Sequence, residues 1–137
     1  MAINNLSTDL FTFDLNGYTI SDWGETDPPY SEEPINPSSV MRPGLGGNAV
    51  RLDRINPGRR VTINLNPASP DSAYVRGLLE SGASVSGGRT QIGTLETAVF
   101  TEGVIVNDAT IGRGGMSPTD DQYIIEFNNS TITSGSV

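Results

Sequence analysis

A chain of 137 residues with no histidine, cysteine or lysine cannot build a Ser-His-Asp triad, a thiol nucleophile, a Schiff base, a P-loop or a His/Cys zinc site. Eight arginines against 16 acids leave a net charge of −8, which repels nucleic acid rather than gripping it. Without a disulfide framework, stability has to come from a core or from neighbouring copies, and the length fits one domain over 1–137.

Sixteen glycines, nine prolines and only 18% charged residues make a turn-rich β composition. No run of 18 apolar residues offers a membrane span. The first ten residues, MAINNLSTDL, lack the basic and apolar regions of a signal peptide, so the expectation is cytoplasmic production and no membrane partner.

In chain order, 10–15 and 18–23 read as strands around Asn16-Gly17, the pair preferred in a two-residue type I′ hairpin. Phe11, Phe13 and Leu15 can share one face. Residues 24–47, GETDPPYSEEPINPSSVMRPGLGG, hold five prolines, four acids and four glycines. They read as a long exposed loop, extended in part around 38–42. Next, 48–55 reads as a strand, Asn56-Pro57-Gly58 as a turn, and 59–65 as the antiparallel partner of 48–55.

The clearest local signals lie in 58–82. Val61, Ile63 and Leu65 alternate with polar residues, the period of a half-buried strand. Ser69 is placed to cap a helix, Pro70 suits its first position, and Asp71 puts negative charge where the helix dipole favours it. This predicts a short helix over 70–81, with Tyr74, Val75, Leu78 and Leu79 as its apolar stripe and Gly82 just past its end. A helix this short has to pack on a sheet. Residues 81–89 read as a Gly/Ser-rich connection. Further strands are expected at 90–95, 98–107 and 122–128, with a shorter one near 109–113 and a flexible tail over 129–137.

Small motifs carry little chemistry. Gly44-Leu45-Gly46-Gly47 and Gly112-Arg113-Gly114-Gly115 do not sit between a strand and a helix, so they read as turns rather than phosphate cradles. Asp120-Asp121 beside Ser117 and Thr119 lacks EF-hand spacing and reads as a solvated turn. Glu32-Glu33, or Glu102 with Glu126, has the residue types of a glycosidase pair, but one tryptophan, Trp23, is a thin platform for a sugar. No catalytic residue, cofactor or metal site is expected.

The order Asn16-Gly17-Tyr18-Thr19-Ile20-x-x-Trp23-Gly24, a long acidic loop, Gly47-x-x-Val50-Arg51-x-x-Arg54, Gly58-Arg59-Arg60-Val61-Thr62-Ile63-Asn64-Leu65 and Ser69-Pro70-Asp71-Ser72-Ala73 resembles the tail tube proteins of contractile-tailed bacteriophages. The resemblance covers roughly 14–127 and fits poorly over 88–95. It implies a mainly β chain, a small antiparallel β-sandwich or β-barrel with one flanking helix, whose copies form hexameric rings with a continuous inner barrel. Stacked rings make the virion's tail tube inside a contractile sheath, assembled in the host cytoplasm, with sheath, tape measure and baseplate proteins as partners. Double-stranded DNA would pass without specific binding.

On that reading 24–47 reaches a neighbouring subunit. Arg51, Arg54, Arg59 and Arg60 are expected to pair with Asp27, Glu32 or Glu33 across subunits, and Asp14, Asp22, Glu102 and Glu126 to line the channel. The alternatives are the tube of a pyocin-like or type VI secretion machine, a tail terminator, or a non-enzymatic β-sandwich that binds carbohydrate or decorates a virion.

Overall fold

A computed structural model describes residues 11–91, 96–109 and 111–133. The elements run β1 Phe11–Leu15, β2 Tyr18–Ile20, β3 Tyr30–Pro34, β4 Ser39–Pro43, β5 Ala49–Asp53, β6 Arg59–Leu65, α1 Pro70–Ser81, β7 Val85–Gln91, β8 Glu96–Asp108 and β9 Asp121–Thr133. Seven strands form one antiparallel sheet in the order β2-β1-β7-β8-β9-β6-β3, while β4 and β5 form a separate hairpin.

Alternation decides which face of the large sheet is buried. Phe13 and Leu15 on β1, Val61, Ile63 and Leu65 on β6, Ala98, Phe100 and Ile105 on β8, and Tyr123, Ile125 and Phe127 on β9 make the core with Ile20, Val75 and Val85. The sheet curls until its ends face one another. Tyr30 of β3 lies 5.2 Å from the Phe11 ring and 5.0 Å from the Phe13 ring of β1, centroid to centroid. One antiparallel bridge, Trp23 to Leu65, also links the two ends, so the sheet stops short of a closed barrel.

The first hairpin and the helix form as their local chemistry dictates. Asn16 and Gly17 take φ of 51° and 84°, the left-handed pair that a type I′ turn requires. Ser69 accepts the N–H of Ser72 at 3.1 Å, and Gly82 closes the helix at φ 66° with its N–H on Leu78 and Leu79. Val75 is fully buried, and Tyr74, Leu78 and Leu79 pack beside it.

Elsewhere tertiary pairing departs from the local reading. Residues 24–47 are not one loop: they contain β3, which pairs with β6, and β4, which pairs with β5. Prolines bound these strands instead of forbidding them, because β3 lies at the edge of the sheet and Pro34 sits at its end. The expected pairing of 48–55 with 59–65 is likewise replaced, since β6 lies between β9 and β3. Within the expected connection 81–89, the strand β7 begins at Val85 and ends at Gln91; the rest of the expected 90–95 strand lies outside the described residues.

Glycines fit this strand because its neighbours come close: a Cβ on Gly87 would lie 2.4 Å from the Asp14 carbonyl oxygen. Ala109 and 111–113 form no strand. Much of the expected flexible tail is ordered, for Asn129 to Thr133 pair with Thr101 to Thr97 of β8; only 134–137 lie outside the described residues.

Candidate functional site

The sheet is not closed on itself. β6 pairs with β9 only as far as Arg59 opposite Phe127, yet β9 runs on to Thr133. Among the described residues nothing pairs with the backbone of 128–133 on that side. An unpaired, exposed strand edge is a template for another chain.

The second surface is the β4–β5 hairpin. Every residue from 36 to 56 is exposed, so the hairpin stands away from the body as an arm. Its turn is tied by the Gly44 N–H on the Asn48 carbonyl at 2.8 Å, which is the role of the Gly44–Gly47 run. Ser39 and Arg51 both donate to Asp53, at 2.6 and 2.9 Å, and clip one face. The opposite face carries Val40, Arg42, Val50 and Leu52, since residues directly across an antiparallel pair share a face.

Inside the curled sheet lies a buried ionic cluster. The Glu32 carboxylate accepts from Arg89 Nη2 at 2.8 Å, Arg59 Nη2 at 3.0 Å and the Tyr30 hydroxyl at 2.7 Å, and Arg89 also contacts Glu96. Burial alone would raise the Glu32 pKa, but hydrogen bonds from Tyr30, Arg89 and Arg59 outweigh it and hold the pKa below its ordinary value. Burial, then the Glu32 charge, push the Tyr30 hydroxyl the other way.

Of the arginine–acid pairs expected between subunits, two are made within the chain. Arg59 meets Glu32, and Arg60 meets Glu33 at 3.3 Å and Glu126 at 2.9 Å. Adjacent strands in register supply the geometry, with Glu33 opposite Arg60 and Arg60 opposite Glu126. Arg51 is turned onto its own strand, while Arg54 and Asp27 have no charged partner among the described residues.

The acids expected to line a channel come from four separate segments. Asp14 lies on β1, Asp22 follows β2, Glu102 lies on β8 and Glu126 on β9. Glu126 is neutralised by Arg60, and Glu102, at φ 56°, accepts the side-chain amides of Asn128 and Asn129. Nor do the candidate carboxylate pairs act together: Glu32 turns inward to two arginines while Glu33 turns outward to one.

Asp120 and Asp121 hold the fold in different places. Asp120 accepts the N–H groups of Glu25 and Thr26, pinning the turn after Trp23. Asp121 is buried, contrary to the solvated turn expected, and bonds Ser72 and Arg113.

Asp71 does more than favour a helix dipole. Its carboxylate accepts from the Tyr18 hydroxyl at 2.6 Å and from the backbone of Ser21 and Asp22 at 2.8 and 2.7 Å, locking α1 to the end of β2. Burial pushes its pKa up, but these three donors prevail and hold it below the ordinary range.

Among the described residues the site thus comprises two exposed surfaces, the β9 edge at 128–133 and the β4–β5 arm, beside a buried ionic lock. Neither a protein-family model nor a curated protein matches the chain. Solved structures do match its fold. The sheath/tube terminator of an extracellular contractile injection system, PVC, in the extended state superposes with a TM-score of 0.66 at 8% identity, over 98% of this chain and 100% of that one. The sheath–tube complex of the same system gives 0.63 at 10% identity over 95% and 92%. Hcp1 from Flavobacterium johnsoniae gives 0.58 at 15% identity over 92% and 96%. The fold is that of these tube and tube-terminator proteins, mainly β, antiparallel, with one helix.

Proposed function

We propose that this chain is a tube subunit of a contractile tail. Six copies close a ring by joining their sheets, and rings stack into a tube within a sheath that ends on a baseplate around a tape measure protein. The single observation that carries this reading is the open edge of β9 at 128–133, a length of strand left unpaired on that side among the described residues and a template for a strand of another molecule. The fold shared with tube proteins at TM-scores of 0.63 and 0.58 supports it.

Double-stranded DNA would travel down the bore. An excess of 16 acids over 8 arginines suits a wall that must not retain phosphates, with Asp14, Asp22 and Glu102 as its candidates. Glu126, paired with Arg60, contributes least. In this reading the protein belongs to the virion tail, is assembled in the host cytoplasm, and catalyses nothing.

A second reading has support of its own. A tube-terminating cap matches with a TM-score of 0.62 and a sheath/tube terminator with 0.66, so a single ring that ends a tube is the rival, as is the tube of a non-phage injection machine. Negative-stain microscopy of the concentrated protein separates them: stacked rings support the tube subunit, isolated rings the terminator, and a monomer at high concentration refutes both. Loss of an encapsidated genome from particles lacking the protein distinguishes a phage from an injection machine.

A further inference from the structure

The arm and a groove on the body are complementary in polarity and charge. On the arm, Val40, Val50 and Leu52 are 41%, 57% and 60% exposed on one face, and Leu45 and Ile55 are wholly exposed at its two ends. A lone two-stranded hairpin is marginal in water, and this one receives no packing from the body. Arg42, Arg51 and Arg54 against Asp53 give the arm a charge of +2, so the rest of the chain carries −10 of the net −8. Arg42 and Arg54 have no carboxylate partner among the described residues.

The groove is a cavity of about 610 Å³ lined by Phe11, Trp23, Pro28, Pro29 and Tyr30, with Glu25 and Asp27 on its wall. Neither acid has a cationic partner among the described residues, and both are exposed. An apolar floor with two free carboxylates fits an apolar strand face flanked by two free guanidinium groups.

The geometry points to a second copy of this chain as the occupant: the β4–β5 arm of one subunit seats in the Phe11–Trp23–Tyr30 groove of another. A subunit's own arm does not fill it: the groove lies at the Tyr30 end of β3, the arm leaves from the Pro34 end about 13 Å farther along the strand, and every arm residue is exposed. The inference rests on the tube reading for its setting, and supplies the contact that would join subunits beyond the shared sheet edge.

Because the chain has no cysteine, a short bismaleimide reports only on thiols placed deliberately. Full-length Leu52→Cys and Pro29→Cys proteins, mixed, concentrated and treated, should give a conjugate of twice the chain mass that neither gives alone. Val50→Glu in the Leu52→Cys protein should lower its yield about tenfold, as loss of one buried anchor does. Arg42→Glu with Arg54→Glu should lower it similarly, and Glu25→Arg with Asp27→Arg on the partner should restore it. Circular dichroism establishes that each variant is folded.

Assembly without the conjugate, or a conjugate indifferent to Val50→Glu, overturns this docking and leaves the tube reading intact. A groove filled by another part of the same chain or by a different protein gives that result. Conjugation within a dilute double-cysteine monomer overturns it as well. A chain that stays monomeric at high concentration overturns both.

Discussion

Glu32 on β3 and Arg89 on β7 meet across the interior of the curled sheet, Oε1 to Nη2 at 2.8 Å and Oε2 to Nε at 3.2 Å, although their strands lie four places apart in the sheet order. The contact is bidentate and nearly dry, with side chains 13% and 7% exposed. It holds the edge strand β3 over the core, where Tyr30 then packs on Phe11 and Phe13.

Removing one partner leaves the other poorly compensated. Glu32→Ala leaves the buried Arg89 with Glu96, a more exposed acid, as its remaining partner, so urea unfolding of the unassembled chain should show a loss of about 3 kcal/mol. The double variant Glu32→Leu with Arg89→Met, which leaves Arg59 able to reach solvent, should lose less than Glu32→Ala alone. Equal losses would mean that the pair is not coupled.

Acid should weaken the fold through the same carboxylates. Glu32 and Asp71 both have folded-state pKa values below their ordinary ones. The unfolded chain therefore takes up protons first, so their contribution is complete above the unfolded carboxylate range near about pH 4 and is lost as pH falls from there through the lower folded-state values. Melting temperature should hold steady from neutral pH to about 5 and then drop. Asp71→Asn, which cannot titrate, should lower the plateau and flatten the drop; an unchanged slope would remove Asp71 from this account.

How much of this was legible beforehand depended on range. The Asn16-Gly17 turn and the 70–81 helix were readable because their determinants, two left-handed residues and a Ser69 cap with a Gly82 stop, act within a few positions. β7 was not, since VSGGRTQ carries no apolar alternation and its glycines answer to the neighbouring backbone, as Gly87 does to Asp14. β3 was masked by its prolines, whose meaning depends on being at an edge. Likewise the residue types for Arg–acid pairing were visible, whereas their closure within one chain follows from β3, β6 and β9 being adjacent. The arm's face was partly readable: Val40-x-Arg42 and Val50-x-Leu52 flank the Gly44–Gly47 turn with period two.

Gly103 occupies a place where no side chain fits. A Cβ there would lie 2.2 Å from Cδ1 of Phe127, whose ring is 1% exposed and stacks on Phe100 at 5.0 Å. The ring has nowhere to go, so Gly103→Ala should cost about 1–3 kcal/mol, with overpacking the cause. If that is the mechanism, Phe127→Leu should cost less in the Gly103→Ala background than in the wild type, a coupling that a double-mutant cycle measures.

The open edge of β9 yields a test that separates folding from assembly. Successive residues of a strand direct their N–H groups to opposite sides, so of Ser130 and Thr131 one bonds β8 and the other points to the unpaired side. Proline removes one N–H. At the residue facing β8 it breaks a ladder bond and should lower the melting temperature. At its neighbour it takes away a donor that the monomer does not use, and edge strands tolerate proline, so stability should stay within about 0.5 kcal/mol. If a second copy completes the sheet there, that silent variant should be the one that fails to form rings, seen by sedimentation velocity and microscopy. Rings formed equally well by both variants would place the joint between subunits elsewhere, because an interchain ladder cannot be made by a strand whose outward donor is missing and whose ring carbons fill the gap.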